Sequence, residues 1–444
     1  MGRVTKFDAS LLARGIEDPS ARGIASYVAE LIRTGELIPG DALPHVRSLA
    51  EVLRVSPATV STAWGLLKKR GLIIGSGKSG TRVSSPVGLV TRIEPASLIP
   101  ARFDMRLLYP DPDLLPSLKP ALASAAEMPG LDQYYDSPIL PALRDVVEPQ
   151  WPYPAEAFAV ANGASDAIWT VLQSLSVPGD RIVVESPTQP QLLNLMSDLG
   201  LTVVPVPYVE GGLSLMHLEE AMKTRPVVVF YQSRAQVPTG NATNSDRAWR
   251  ISEVLKRNAS AMIVEYDDLN ALSLTNIYSV GEYLPKRTIH IKSYEKSYGP
   301  DLRLAVIGTT VARMATVHAQ IRLTRQWTSR ILQSALAWLL QDNITGDGVA
   351  RARGIYAERL FALTSMLHAN GIEVPAQDGF CVWIPVTDEA KAIEYLTAHG
   401  ILALAGETSY SSGGLPHIRV ATSRMEPGMS SQLAEILRQS ALAL

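Results

Sequence analysis

One stretch of the chain reads Ser293-Tyr-Glu-Lys296-Ser-Tyr-Gly-Pro-Asp-Leu-Arg303-Leu304, and it follows a strand-like apolar run at residues 288–291. A hydroxyl lies three residues before the lysine and a guanidinium lies seven residues after it. Both groups could turn toward one phosphate, and a planar guanidinium can hold a dianion through two hydrogen bonds. The spacing therefore predicts a phosphate site beside Lys296.

The sequence around this stretch alternates between strand-like and helical segments. Apolar strand-like runs occur at 181–184, 227–230, 261–264, 288–291 and 304–308. Alternation of this kind predicts an α/β fold, with a mixed, mainly parallel sheet covered by helices on both faces. Residues from about 310 to 342 predict one long helix that leads into a smaller C-terminal α+β subdomain.

Three helices are predicted near the N-terminus. Ser20 is a suitable cap for the first, which would end before Gly35. The second would run over 46–53. The third would start at Ser56 with Pro57 in its first turn, where the missing N–H of proline is harmless.

The third helix has one apolar and one polar face. Val60, Ala63 and Leu67 recur at helical spacing toward a core. The residues left to face outward are small and polar, and they suit entry into a DNA major groove: Ala58, Thr59, Ser61 and Thr62. Residues 71–83 then predict two short strands around a glycine turn.

Charge is distributed unevenly along the chain. The net charge is −2 overall, but residues 1–85 carry a net of +5. Glu51 is the only acidic residue between positions 42 and 85. A small basic module joined to a larger acidic one fits a nucleic-acid-binding head on a small-molecule-binding body.

Composition sets the remaining limits. With 444 residues, of which 46% are hydrophobic and 19% charged, the chain is long enough for two or three globular domains. We predict no membrane segment, no export signal and no metal site. The single cysteine, Cys381, lies in an apolar run and is expected in the core, which favours a cytoplasmic protein.

Two motifs together resemble a known family. The segment from Gly40 through Gly77-Lys78-Ser-Gly80-Thr-Arg82 resembles the winged helix-turn-helix of the GntR family. The Lys296 stretch resembles the lysine segment of fold-type I pyridoxal phosphate (PLP) enzymes. The whole chain thus resembles the MocR subfamily of bacterial transcription regulators. This resemblance implies a DNA-binding domain at 1–85, a linker at 86–102 and an aminotransferase-like domain at 103–444, with a small subdomain at about 354–444.

The resemblance also implies roles for particular residues. Lys296 would form a Schiff base with PLP. The effector would be an amino acid or an amine, and Arg419 would hold the carboxylate of an amino acid effector. Tyr134 would reach the phosphate in a partner subunit, which implies a homodimer. The expected cofactor-binding residues are Lys296, Arg303, Ser293, Gly163, Ala164, Ser165, Asp267 and Tyr134. The expected contacts with a double-stranded DNA operator are Arg47, Ser56, Thr59, Ser61 and Lys78.

Several positions near the PLP ring depart from the family pattern. An ungapped match puts Tyr266 where the carboxylate for the pyridine nitrogen is expected, whereas a one-residue bulge would restore Asp267. Gln189 replaces the aromatic residue that stacks on the ring, and Val237 replaces an asparagine. Glu295 adds a carboxylate beside the lysine. These changes weaken the groups that make PLP an electron sink.

Three functions remain open from the sequence. The first is a PLP-dependent transcription regulator whose effector shifts the arrangement of two DNA-binding heads. The second is an active PLP-dependent aminotransferase with an autoregulatory DNA-binding head. The third is a regulator whose large domain has lost PLP and serves dimerisation or binds another ligand.

Overall fold

The computed structural model describes residues 9–38, 40–69, 72–74, 81–83, 103–135, 137–258, 260–375, 378–426 and 428–442. The predicted linker at 86–102 and Lys78 in the predicted wing lie outside these residues. The described chain divides into two compact units. The first takes in the described part of Met1–Ile93 with Val177–Asp180 and Gln191–Thr202, and the second takes in the rest.

The N-terminal elements have the order of a winged helix-turn-helix. The helices are α1 (Ala9–Ala13), α2 (Ala21–Thr34), α3 (Val46–Leu53) and α4 (Pro57–Lys69). The strands are β1 (Ala42–Leu43), β2 (Ile73–Ile74) and β3 (Thr81–Val83), in the antiparallel order β1-β3-β2. The three predicted helices and the two wing strands are confirmed, and α1 and β1 were not predicted.

Local sequence explains where these helices begin and end. The Ser20 hydroxyl accepts a hydrogen bond from the Gly23 N–H at 3.1 Å, which satisfies one of the free donors at the start of α2. Gly35 ends that helix in the left-handed region, at φ +81°. Val60, Ala63 and Leu67 of α4 are fully buried, as their spacing predicts.

The rest of the chain is built from strands and helices in alternation. The strands are β4 (Phe103–Asp104), β5 (Ala157–Ala161), β6 (Arg181–Ser186), β7 (Thr202–Val209), β8 (Gly212–Leu213), β9 (Val228–Gln232), β10 (Met262–Asp267), β11 (Thr288–Ser293), β12 (Ala305–Thr309), β13 (Cys381–Pro385), β14 (Ile401–Leu402), β15 (Leu404–Ala405) and β16 (His417–Ala421). The helices are α5 (Lys119–Ala126), α6 (Pro141–Val147), α7 (Ala164–Leu175), α8 (Pro190–Asp198), α9 (Leu215–Met222), α10 (Ser245–Lys256), α11 (Glu295–Tyr298), α12 (Val311–Thr324), α13 (Arg330–Gln341), α14 (Asn343–Ala369), α15 (Glu389–Ala398) and α16 (Ser430–Ala441).

Eight strands form the main sheet, in the order β5-β12-β11-β10-β9-β6-β7-β8. Strands β11, β10, β9 and β6 run parallel, whereas β12 is antiparallel to both of its neighbours. Every residue of β9, β10, β11 and β12 is buried, so both faces of the sheet are covered. The predicted mixed, mainly parallel sheet is confirmed.

The long helix predicted for residues 310–342 is wrong. Two helices, α12 and α13, occupy that range, and the 27-residue helix α14 follows them. Gln326 adopts the left-handed region at φ +63°, which interrupts helical backbone. Asp342 then caps α14 by accepting a hydrogen bond from the Thr345 N–H at 2.8 Å.

A second, smaller sheet lies near the C-terminus. Strand β16 pairs antiparallel with β13 and β15, and β14 pairs parallel with β4. One apolar core joins this sheet to α14, α15 and α16 through Leu363, Leu396 and Leu437. Gly354 lies inside α14, so the predicted start of the small subdomain falls within a continuous helix. No helix in the described part of the chain is long and apolar enough to cross a membrane.

Candidate functional site

Lys296 lies in the short helix α11, directly after β11. Its Nζ donates a hydrogen bond to Asp268 Oδ2 at 2.6 Å and lies 5.5 Å from the centre of the Phe380 ring. The Gln189 amide also approaches Asp268 Oδ2, at 3.4 Å. Asp268 is therefore the carboxylate that faces the Lys296 amine.

Asp267, which is predicted to bind the cofactor, contacts Arg234. Its carboxylate accepts two hydrogen bonds from the Arg234 guanidinium, at 3.1 and 2.8 Å. Burial alone would raise the pKa of Asp267, but Arg234, with smaller contributions from Lys292 and His290, holds that pKa below its usual range. The structure thus places Asp267 with Arg234 and places Asp268 beside Lys296. The reason is geometric, because β10 ends at Asp267 and side chains along a strand alternate between its two faces.

Tyr266 supports the carboxylate that faces Lys296. Its hydroxyl donates to Asp268 Oδ1 at 2.6 Å. Burial, with a further contribution from Asp268, raises the pKa of the Tyr266 phenol well above its usual value. Tyr266 therefore acts as a neutral hydrogen-bond donor.

Four of the predicted phosphate-binding residues converge at the start of α7. Gly163 caps this helix at φ +87°, and a Cβ there would lie 2.4 Å from Glu295 Oε1 and 3.0 Å from Arg303 Cγ. The Ala164 N–H donates to Glu295 Oε2 at 3.4 Å, and the Ser293 hydroxyl lies 3.5 Å from the same oxygen. We call this arrangement of Gly163, Ala164, Ser293 and Arg303 the anion cup. The carboxylate of Glu295 lies within it.

Two further features bear on the anion cup. Arg303 is exposed and has φ +46°, a backbone conformation that is uncommon for residues other than glycine. Its guanidinium makes no hydrogen bond or ion pair with any residue that the structure describes. Burial raises the pKa of the Glu295 carboxyl, while Arg303 and Lys296 act in the opposite direction. Ser165, also predicted to bind phosphate, is exposed in the first turn of α7.

A chain of polar side chains leads away from Asp268 into the core. Gln189 Nε2 donates to Gln232 Oε1 at 2.9 Å, and Gln232 Nε2 donates to Glu185 Oε1 at 2.5 Å. Burial raises the pKa of Glu185 to about 7, although Gln232 opposes this shift. Sequence reasoning missed Glu185 and Gln232. The available signal was an acidic residue within the otherwise apolar run of β6.

Arg419 lies on β16 and is only 3% exposed. One Nη donates to the Arg106 carbonyl at 2.6 Å, and the Nε has no hydrogen-bond partner among the described residues. Burial lowers the pKa of Arg419. Burial has the opposite effect on the Cys381 thiol and raises its pKa. The charges of Arg419 and Lys296 counteract that rise, which indicates that both cations lie near this sulfur atom. Cys381 is buried, as expected from its apolar run.

Tyr134 lies at the surface of the single chain. Its side chain is 90% exposed and meets the Trp327 ring edge to face, with 5.8 Å between the ring centres. Val237 is buried. No group of three or more metal-binding side chains occurs in the part of the chain that the structure describes.

The predicted DNA-contacting residues that the structure describes lie on α3 and at the start of α4. Arg47, Ser56 and Ser61 are exposed, whereas Thr59 is half-buried. The Ser56 hydroxyl accepts a hydrogen bond from the Thr59 N–H at 3.1 Å and lies 2.9 Å from the Thr59 hydroxyl. Ser56 and Thr59 therefore cap the helix, and Ser61 presents its hydroxyl to the outside.

The class of protein follows from this fold and site. The chain belongs to the aminotransferase class I and II family, whose sequence profile matches residues 102–437. The profile of the bacterial regulatory proteins of the gntR family matches residues 20–83. Among solved structures, the fold is similar to an archaeal alanine:glyoxylate aminotransferase, with a TM-score of 0.73 and 18% identity over 84% of this chain and 97% of that one. It is also similar to kynurenine aminotransferase from Pyrococcus horikoshii, with a TM-score of 0.70 and 18% identity over 76% and 90%.

Relatives with both domains are regulators. The vitamin B6 salvage pathway transcriptional repressor PtsJ of Salmonella typhimurium is 29% identical over 96% of this chain and 99% of its own length. The pyridoxine biosynthesis regulator PdxR of Corynebacterium glutamicum is 26% identical, over 76% of each chain. The probable rhizopine catabolism regulatory protein MocR of Rhizobium meliloti is 25% identical, over 79% of this chain and 77% of its own. The chain thus has the domain composition of MocR- and PdxR-type regulators.

Proposed function

We propose that the chain is a DNA-binding transcription regulator whose aminotransferase-like domain binds PLP, or an adduct of PLP with an amino acid, as its effector site. The observation that carries this proposal is that one chain contains both domains. One is a helix-turn-helix whose helix α4 has an outward polar face, and the other holds a site where Lys296 and Asp268 meet. The similarity to PtsJ over nearly the whole of both chains supports it.

The residues of the site fit PLP. When bound, PLP supplies an aldehyde that condenses with a primary amine, and Lys296 provides that amine. Asp268 accepts a hydrogen bond from that amine and would place a carboxylate beside the bound ring. The anion cup would hold the phosphate, with N–H groups at the start of α7 and the Arg303 guanidinium as donors.

Arg419 would hold the carboxylate of an amino acid effector. A buried guanidinium is stable only when its charge is paired or hydrogen-bonded, and the Nε of Arg419 has no hydrogen-bond partner among the residues that the structure describes. The amine of an effector could replace the Lys296 amine on the aldehyde of PLP. Binding would then favour one arrangement of the DNA-binding heads through its differential affinity for the two states.

A second candidate is an active aminotransferase that carries an autoregulatory DNA-binding head. The carboxylate of Asp268 beside Lys296 favours this candidate, because catalysis by PLP depends on an anion near the ring. Gln189 in place of an aromatic residue, and Val237 in place of an asparagine, favour the regulator.

Assembly and location follow from the regulator proposal. We expect a homodimer, in which Tyr134 of each subunit would reach the phosphate held by the other. Its 90% exposure in the single chain leaves it available for such a contact. Because the proposed partner is double-stranded DNA, we expect the protein to act in the cytoplasm.

The test is a PLP titration followed by borohydride reduction and peptide mass mapping. We expect a visible absorption band and a pyridoxyl mass on Lys296, both absent in Lys296→Ala. The matched control is Lys286→Ala, which removes an exposed lysine from the same unit. No band with saturating PLP, or an equal label in Lys296→Ala, would remove PLP from the proposal.

A further inference from the structure

The Glu295 carboxylate occupies the position that a bound anion would take. Its Oε2 accepts from the Ala164 N–H at 3.4 Å and lies 3.5 Å from the Ser293 hydroxyl. Its Oε1 would lie only 2.4 Å from a Cβ on Gly163. The carboxylate is therefore pressed against the backbone at the N-terminus of α7, where free N–H groups and the helix dipole favour negative charge.

A phosphate group could not share this space with Glu295. The cup has one helix N-terminus, one hydroxyl and one guanidinium, and the carboxylate already contacts the first two. A second anion would also meet a like charge within a few ångströms, in surroundings where burial weakens solvent screening. The exposed Arg303 guanidinium forms no ion pair with any residue that the structure describes, although its charge favours the ionised form of Glu295.

We propose that Glu295 is a specificity-determining residue that fills the anion cup as an internal anion, so that a phosphorylated ligand binds only when this carboxylate leaves. A ligand without a phosphate needs no such displacement. This inference rests on the proposed function of the same site and adds a property to it. The site therefore binds phosphorylated ligands more weakly than the same site would with a small neutral residue at position 295.

Inorganic phosphate tests the cup without any contribution from Lys296 chemistry. We would measure its affinity by calorimetry for the wild type, Glu295→Gln and Glu295→Ala, each as the full chain. Glu295→Ala removes both charge and bulk and should bind phosphate at least about tenfold more tightly than the wild type. Glu295→Gln removes the charge alone and should fall between the two. The matched control is Glu358→Ala, which removes an exposed carboxylate from α14 and should leave phosphate affinity unchanged.

The second arm compares PLP with pyridoxal, which lacks the phosphate. Glu295→Ala should tighten PLP binding by about tenfold and change pyridoxal binding by less than about twofold. Equal phosphate affinity in wild type, Glu295→Gln and Glu295→Ala would overturn the inference, as would an equal gain for PLP and pyridoxal. If no variant bound PLP but Glu295→Ala gained phosphate affinity, the cup assignment would stand and the PLP function would fail.

Discussion

At the scale of single residues, two adjacent aspartates take opposite roles. Asp267 is fully buried and paired with Arg234, whereas Asp268 faces Lys296 and accepts from Tyr266. A one-residue change of register at the end of β10 would exchange these contacts. The sequence contains both acids side by side and gives no signal for which one turns toward the lysine.

Substitution of each aspartate should therefore have a distinct effect. Asp267→Asn leaves the Arg234 charge without its counterion in a buried setting, and it should destabilise the fold by about 3 kcal/mol. Asp268→Asn should alter stability much less but weaken PLP binding and shift the absorption band of the bound protein. Thermal melts and PLP titrations check both expectations. A stable Asp267→Asn protein with lost PLP affinity would return Asp267 to the ring.

Glu185 should make stability depend on pH. Its pKa in the folded protein is raised from 4.5 to about 7, so the fold prefers the protonated form. The contribution of Glu185 to the free energy of unfolding is fully present below pH 4.5 and is lost as the pH rises toward 7. The wild type should thus lose stability relative to Glu185→Gln across this window, by about 1 kcal/mol per pH unit.

Thermal melts of the two proteins at pH 5, 6, 7 and 8 would measure this dependence. Because the comparison is between two proteins at each pH, titration of the other groups largely cancels. Two results would contradict the assignment to Glu185: a difference in thermal stability that does not change with pH, or a wild type that becomes more stable relative to the variant as the pH rises.

At the scale of elements, local signals predicted α4 well and the region after β12 poorly. Ser56 and Pro57 mark the start of α4, and the burial of Val60 and Leu67 follows from their spacing. The break at Gln326 has no such local mark, because a left-handed glutamine is selected by tertiary packing. Periodicity alone therefore merged two helices into one.

The start of α4 offers a test that separates stability from recognition. Ser56→Ala removes the hydroxyl that caps the Thr59 N–H, and it should destabilise the DNA-binding head by about 1 kcal/mol. Ser61→Ala removes an exposed hydroxyl with no capping role, so it should leave stability unchanged and alter the preference among operators. Melting curves and binding to a panel of operator sequences would compare them. Equal preferences in Ser61→Ala and wild type would exclude Ser61 from base recognition.

Salt dependence should identify residues that contact DNA phosphates. Affinity should fall steeply with salt, because each phosphate contact releases counterions. Arg47→Ala and Lys78→Ala should weaken binding to all sequences alike and reduce the slope of log affinity against log salt by about 1 each. A large domain without residues 1–85 that bound the same DNA equally well would contradict the assignment of the head.

At the scale of the whole molecule, the residues that the sequence singled out at the candidate site are close along the chain, and those that it missed are not. Lys296, Ser293 and Arg303 lie in one continuous stretch with a recognisable spacing. Gln232 comes from β9 and Glu185 from β6, and only the order of strands in the sheet brings them to Gln189. Contacts between strands so far apart in the chain cannot be obtained from spacing.

The whole protein should bind PLP yet transaminate common amino acids poorly. Lys296 and the anion cup would hold the cofactor, and Asp268 places a carboxylate beside the Lys296 amine. Two residues expected to support the ring differ from the family pattern: the Gln189 amide is engaged with Gln232, and Val237 offers only an apolar side chain. Loss of such preorganised groups lowers the rate by about a hundredfold or more for each group.

Steady-state assays with a panel of amino acids and keto acids would measure this turnover, with Lys296→Ala as the blank. Gln189→Tyr supplies a ring at the stacking position, and it should raise the rate above wild type if the missing aromatic residue limits the chemistry. Binding of an effector amine should persist in the wild type without turnover and change its affinity for DNA. Turnover at the rate of an ordinary aminotransferase, abolished by Lys296→Ala, would instead establish the enzyme with a DNA-binding head.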